Sequence, residues 1–227
     1  MFLRRFDRVF LQPLFNIVGL YNPLFTASYA RPRRSCSRHI FCDALFENAL
    51  YFDGIRDTLL DEFTPCHDVL PHNYDFLNNI ETSESVCVSI RRGDFLSPKN
   101  KHVFNVCDEE YFISAMKALR SKIPGCKFFV FSDDVDDVKH NMKFPFDVEY
   151  ESGGDPVWEK LRLMYSCKHF IISNSTFSWW AQYLSRNEHK IVYAPTPWHW
   201  GTRVKREGIY LPYIRTIECR RPEYAIK

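Results

Sequence analysis

The 227-residue sequence predicts an α/β protein whose C-terminal half is a doubly wound parallel sheet, with a mostly helical part before it. Two observations carry this. Short apolar runs, rich in β-branched and aromatic residues, alternate with helix-like segments about five times over roughly 110 residues from Val86 onward. Several of the runs are apolar at every position, the pattern of strands covered on both faces.

In order along the chain, residues 43–63 (DALFENALYFDGIRDTLLDEF) carry apolar side chains at helical spacing, among them Tyr51, Ile55, Leu59 and Leu60. They predict one or two amphipathic helices closed by Pro65. Residues 64–84 are polar, with Pro71, Asn73, Asn78 and Asn79, and read as a boundary that divides the chain into 1–84 and 85–227. Residues 86–90 predict the first strand. Asp108 caps a helix running to about residue 119, and 128–131 form the next strand. A short polar helix over 134–141 leads to a strand at 148–150 and a helix over 156–166. A strand at 170–172, a helix over 177–186 and a strand at 190–194 ended by Pro195 complete the alternation.

Composition narrows the function. With 45% hydrophobic and 16% aromatic residues the chain fills a core, and a formal charge of +2 gives no overall pull toward nucleic acid. Eight glycines include neither GxGxxG nor GxxxxGK[ST], so no glycine-rich phosphate loop is present. Eight cysteines without a CxxC pair give no support to a zinc ribbon or a thioredoxin-type site, and eight histidines without HExxH give none to a catalytic metal. Cysteines inside apolar stretches, such as Cys87, fit reduced core thiols of a cytosolic protein, although an even count also permits disulfides. Arg4, Arg5 and Arg8 precede a fairly apolar stretch over 9–25, interrupted by Pro13 and Pro23. It reads as partly buried or skimming a membrane surface, since a spanning helix needs about 20 predominantly apolar residues.

Doubly wound sheets bind ligands just beyond the carboxyl ends of their strands, so the polar residues there are the candidate site. Arg91-Arg92-Gly93-Asp94 follows the first strand. Two guanidiniums can grip a diphosphate through forked hydrogen bonds; the same residues can fasten a loop by Arg–Asp pairing, and Arg-Gly-Asp also matches an adhesion tripeptide. Ser132 and Asp133 follow the second apolar run and suit either a ribose or purine edge or an ordinary helix cap. Ser173-Asn174-Ser175-Thr176 stand between an apolar strand and the aromatic helix start Phe177-Ser178-Trp179-Trp180. Backbone N–H groups at a helix tip, with Ser and Thr hydroxyls, suit phosphate oxygens. Trp179 and Trp180 are expected in the core, and His199 between Trp198 and Trp200 suits either a sugar subsite or loop packing.

These residues resemble a known family. IRRGDF at 90–95, FSDD at 131–134, CKHFIISNSTFSWW at 167–180 and KIVYAPTPW at 190–198 are similar to the alpha-1,2-fucosyltransferases of glycosyltransferase family 11, and YFDGIRDTLLDEFTP at 51–65 looks like the segment before their sugar-nucleotide half. The resemblance covers roughly residues 45–200. It implies a GT-B-like, Rossmann-type fold, GDP-beta-L-fucose as donor, a glycan acceptor, inversion at the anomeric carbon, and neither metal nor other cofactor. Carried over by position, it implies that Arg91 and Arg92 bind the diphosphate while Asp94 holds their loop, with an acceptor-base role for Asp94 competing. Ser132 and Asp133 would lie near the nucleoside, and Asn174, Ser175 and Thr176 near the phosphates. The product would be an alpha-1,2 linkage on a galactose-type hydroxyl. GDP-sugar supply and the lack of a convincing export signal give a cytoplasmic location, or one peripheral to the inner face of a membrane.

The sequence also departs from the family pattern. Ser89 stands where a histidine is common before the paired arginines, and Lys160 stands beside Glu159 where an acidic residue is frequent. No GGLGNQMFQ-type opening occurs, so 1–84 is expected to be a reduced remnant of an acceptor-side domain beside a GDP-sugar-binding domain over 85–227. That raises an alternative function: a truncated, catalytically inactive GDP-sugar-binding module.

Overall fold

The computed structural model describes residues 48–200 and 208–221. The chain divides into two compact units, one ending at Arg56 and taking in Arg206–Ile209, the other comprising Asp57–Lys205 with Tyr210–Lys227. In the first, the described residues make two 3-10 turns, Ala49–Tyr51 and Asp53–Ile55, where longer amphipathic helices were expected. The side chain of Asn48 accepts the Leu50 N–H at 3.0 Å and starts the first turn. The apolar stretch over 9–25 lies outside the described residues.

The second unit carries an entirely parallel sheet of six strands among the described residues. These are β1 (Ser85–Ile90), β2 (Lys127–Ser132), β3 (Val148–Tyr150), β4 (His169–Ile172), β5 (Val192–Thr196) and β6 (Ile214–Glu218), in the order β3-β2-β1-β4-β5-β6. The connecting helices are α1 (Arg56–Glu62), α2 (Tyr74–Thr82), α3 (Lys101–Phe104), α4 (Glu109–Lys122), α5 (Val135–Asn141), α6 (Val157–Tyr165) and α7 (Thr176–Leu184). This is the expected α/β architecture with a Rossmann-type strand order.

Every residue of β1 is buried, Ser85 and Ser89 included, which explains its largely apolar, β-branched reading. Successive residues serve opposite faces. Val86, Val88 and Ile90 join Phe128, Val130 and Ile171 in a core closed by Phe112, Ala115, Met116 and Leu119 of α4. On the other face, Phe76 of α2 meets Phe129 and Phe131 edge-on, at 5.4 and 5.9 Å. Burying such rings contributes about 1.5–3 kcal/mol each. Capping sets the helix starts: Asp108 accepts the Tyr111 N–H at 2.9 Å, and Asp134 accepts that of Asp137 at 3.0 Å.

Among the elements that differ from the sequence reading, three bear on the sheet. The polar stretch over 64–84 contains α2, whose apolar stripe is narrow: Phe76 faces the sheet and only Ile80 is fully buried. Strand β6 was not foreseen, because an edge strand that buries Ile214 and exposes Arg215 and Thr216 has little apolar signature. Pro195 does not end β5. Partners in β4 reach only Tyr193, so the missing proline N–H removes no bond to that strand, and β5 continues to Thr196 along β6.

Candidate functional site

Strand order reverses between β1 and β4, and the carboxyl ends there gather the corner residues. Register does the placing. Ile90 pairs with Ser132, so Arg91 and Asp133 leave the sheet side by side. Ser89 pairs with Ile172 and its carbonyl accepts the Ser173 N–H at 3.0 Å, which brings the Ser173–Thr176 turn to the same edge.

A cavity of about 320 Å³ opens at this edge. Arg91, Ser132, Asp133 and Ser175 all line it. Arg91 donates from Nε and Nη2 to Asp94 Oδ1 at 3.1 and 2.8 Å, and its Nε lies 3.3 Å from Asp133 Oδ2. The guanidinium also lies over the Phe95 ring, 5.5 Å from its centroid. Asp133 accepts the backbone N–H of Arg92 at 2.7 Å. Gly93 makes this possible: a Cβ there would overlap the Asp133 carboxylate. The glycine of the Arg-Gly-Asp run thus serves a close approach, not a positive φ.

The other predicted residues act from outside the lining. Arg92 sends its guanidinium to Asp137, whose carboxyl it holds below the usual range. Asp94 grips Arg91 and, through its carbonyl, accepts from Ser97 and Asn100. Asn174 is buried and donates to the Phe104 carbonyl at 3.0 Å, with His199 Nδ1 at 3.5 Å. His199 itself is buried edge-on against Phe104, in loop packing. Thr176 opens α7, and Trp179 is buried against Tyr183 while Trp180 stacks on Phe63. Ser175 is the N-cap residue of α7, yet its side chain makes no capping bond. Its hydroxyl therefore remains available to a ligand at the helix tip.

Several lining residues were not assigned to the site from the sequence. Ser89 and Ser178, joined by a hydrogen bond at 2.6 Å, line the cavity, as does Phe177. Lys160 reaches from α6 to the Ser132 carbonyl at 2.8 Å and pairs with the buried Glu151 at 3.0 Å. Burial pushes the Glu151 carboxyl up, against Lys160 and the Ser132 N–H, which favour the charged form. Glu159, next to Lys160, points elsewhere: it accepts the Leu70 N–H at 2.9 Å and pairs with Arg162. Asp155 completes the wall. The end of β3 offered the signal that could have found Glu151 and Asp155, since carboxylates follow that strand as they do β1 and β2.

Asp155 accepts from His72 Nε2 at 2.8 Å, Asn73 Nδ2 at 2.9 Å and Ser152 Oγ at 3.1 Å. Burial works against its charge, but the Asn73, His72 and Ser152 donors prevail and hold the carboxyl below its ordinary value. A folded value below the unfolded one adds stability that is complete above the ordinary Asp value of about 4 and is lost as pH falls through the lowered value. In denaturant unfolding, the stability gap between wild type and Asp155→Asn should therefore be full at neutral pH and close in acid. A gap that stays unchanged to the acid end of the series would contradict this.

Among the described residues, no helix is long and apolar enough to cross a membrane, and no three His, Cys, Asp or Glu side chains group to hold a metal ion. The six described cysteines are free thiols, and all but Cys66 are buried.

Comparison with known proteins places the chain in a family. Residues 21–217 match the model of Glycosyl transferase family 11, a longer span than the sequence motifs cover. An alpha-1,2-colitosyltransferase of Escherichia coli is 34% identical over 158 residues, covering 67% of this chain and 54% of that protein. The O-antigen biosynthesis glycosyltransferase WbnK of Escherichia coli is 28% identical over 167 residues, covering 69% of this chain and 54% of its own length. Galactoside 2-alpha-L-fucosyltransferase Sec1 of Mus musculus is 28% identical over 177 residues, covering 71% of this chain and 47% of its own. The chain spans about half the length of these relatives.

Proposed function

The chain belongs to glycosyltransferase family 11, and from that premise we propose that its cavity is the donor site for GDP-beta-L-fucose. The transfer forms an alpha-1,2 linkage on a galactose-type hydroxyl of a glycan, with inversion. One observation carries the reading: Arg91 and the Ser175 tip of α7, 84 residues apart in sequence (175 − 91), line one cavity at the strand-order reversal. A diphosphate spanning them would meet a guanidinium and a helix N-terminus, both suited to an anionic leaving group.

In this mechanism the bond between fucose C1 and the β-phosphate oxygen breaks as the acceptor oxygen attacks C1 from the opposite face, and the acceptor proton leaves to a base. Negative charge grows on the departing GDP. Donors fixed in advance stabilise that charge without reorganisation, and this role falls to Arg91, the hydroxyl of Ser175 and the backbone N–H groups of the α7 tip. The hydrogen bonds from Arg91 to Asp94 support an anchoring carboxylate rather than the base. No divalent cation or other cofactor enters the scheme.

A second reading, a GDP-sugar-binding module that transfers nothing, has one observation in its favour. Nε and Nη2 of Arg91 are already engaged by carboxylates. Calorimetry with GDP, run beside a GDP-fucose transfer assay on a β-galactoside with and without EDTA, separates the two. The proposal expects GDP binding and a 2-O-fucosylated product at a rate EDTA leaves unchanged. Binding without transfer or donor hydrolysis would favour the module, and absence of GDP binding would end both.

A further inference from the structure

We propose that Lys160 and Asp155 read the base of the nucleotide, selecting guanine over adenine by pairing a fixed donor with a fixed acceptor. This rests on the donor-site reading above and assigns the part of the cavity that the diphosphate leaves open.

An ammonium has three N–H donors. Lys160 uses one on the Ser132 carbonyl at 2.8 Å and directs another to Glu151 Oε1 at 3.0 Å. The third has no partner among the described residues. Because the buried Glu151 compensates its charge, Lys160 enters the cavity as an oriented donor more than as a free cation, which suits a neutral carbonyl oxygen better than a phosphate. Asp155 is its complement. With a side chain only 4% exposed, it makes three hydrogen bonds, whereas a carboxylate has room for about four. The donors from His72, Asn73 and Ser152 favour its ionised, acceptor-only form. Ile90, Phe131, Val157, Met164 and Phe177 give the cavity apolar walls against which a flat ring can lie.

Direction follows from the sheet. Ser175 and Arg91 stand where β1 and β4 part, while Ser132, which Lys160 holds, ends β2 on the outer side of β1. A nucleoside diphosphate with its phosphates on the α7 tip would extend its base toward β2 and β3. Guanine offers acceptors at O6 and N7, with N–H donors at N1 and N2, and so matches a lysine donor and a carboxylate acceptor. Adenine reverses the key pair, with a donor at N6 and an acceptor at N1, and would leave the Lys160 and Asp155 groups opposed to like partners.

The test is calorimetry of GDP and ADP on the full chain, with thermal unfolding of every variant as the check on folding. Lys160→Met alone would leave Glu151 buried without its ion partner, so the informative variant is Glu151→Gln with Lys160→Met, controlled by Glu151→Gln alone and by Lys160→Arg. Wild type should prefer GDP to ADP. The double variant should lose about tenfold or more of its GDP affinity while ADP stays weak, and the controls should keep most of the preference. Asp155→Asn, which substitutes a donor for half of the acceptor, should also narrow the GDP-to-ADP ratio. A folded double variant with an unchanged ratio, or a wild type that binds both nucleotides equally, overturns the base assignment and leaves the donor site standing. Binding of neither nucleotide by wild type overturns both.

Discussion

Arg91→Ala is expected to lower GDP-fucose turnover by about 10²–10³-fold while leaving the protein folded, the loss typical of removing one fixed donor to a developing anion. The site's geometry supplies both halves of this expectation. Arg91 lines the same cavity as Ser175 at the α7 tip, and Asp94 and Asp133 both engage it. Its side chain is 36% exposed and that of Asp94 is 57% exposed, so the lost pairing costs about 0–1 kcal/mol of stability. Sequence alone assigns Arg92 the same role. The structure separates the two arginines: the Arg92 guanidinium is engaged by Asp137, and its contact with Asp133 is made by a backbone N–H that alanine retains. Arg92→Ala should therefore act through the loop, with a smaller loss of turnover than Arg91→Ala. Steady-state kinetics with GDP-fucose decide this, and near-normal turnover in Arg91→Ala would remove the basis for the donor site.

What could be read from the sequence follows from where its signals reside. Fully buried parallel strands announce themselves, as in Val86-Cys87-Val88 and Phe128-Phe129-Val130-Phe131, because both faces are covered and apolar residues dominate. Polar residues at the ends of such strands stand out by contrast, which made Arg91, Ser132 and Ser175 candidates before the cavity they line was known. Residues that enter the cavity from helices carry no such contrast. Lys160 and Ser178 sit within amphipathic helices, where a polar residue ordinarily marks a solvated face, and only the three-dimensional path of α6 and α7 turns them inward. Asn174 was legible as part of a polar turn but not in its use, since its contacts with Phe104 and His199 cross 70 and 25 residues of chain. Gly93 was visible as the middle of a familiar tripeptide, and its physical reason is a carboxylate contributed from 40 residues away (133 − 93).

The largest loss of stability from a single polar side chain is expected for Glu159→Ala, at about 3–5 kcal/mol, the range found when one partner of a buried ion pair is removed. Glu159 is fully buried, and its Oε1 accepts the Leu70 N–H at 2.9 Å and Asn73 Nδ2 at 3.2 Å. Its Oε2 lies 3.3 Å from Arg162, a guanidinium that is itself nearly buried and leans over the Trp158 ring. Alanine would leave that guanidinium without its counter-charge and the Leu70 N–H without an acceptor, and each is costly in a dry interior. Glu159→Gln retains an acceptor for Leu70 and nearly the same volume, so it should lose less. The damage should also reach the cavity, because the stretch that Glu159 fastens carries His72 and Asn73, which position Asp155. Urea unfolding of both variants gives the magnitudes, and GDP calorimetry on the folded fraction gives the reach. A loss below about 1 kcal/mol in Glu159→Ala would mean that the segment before α2 is held by its other contacts and that Asp155 is positioned without it.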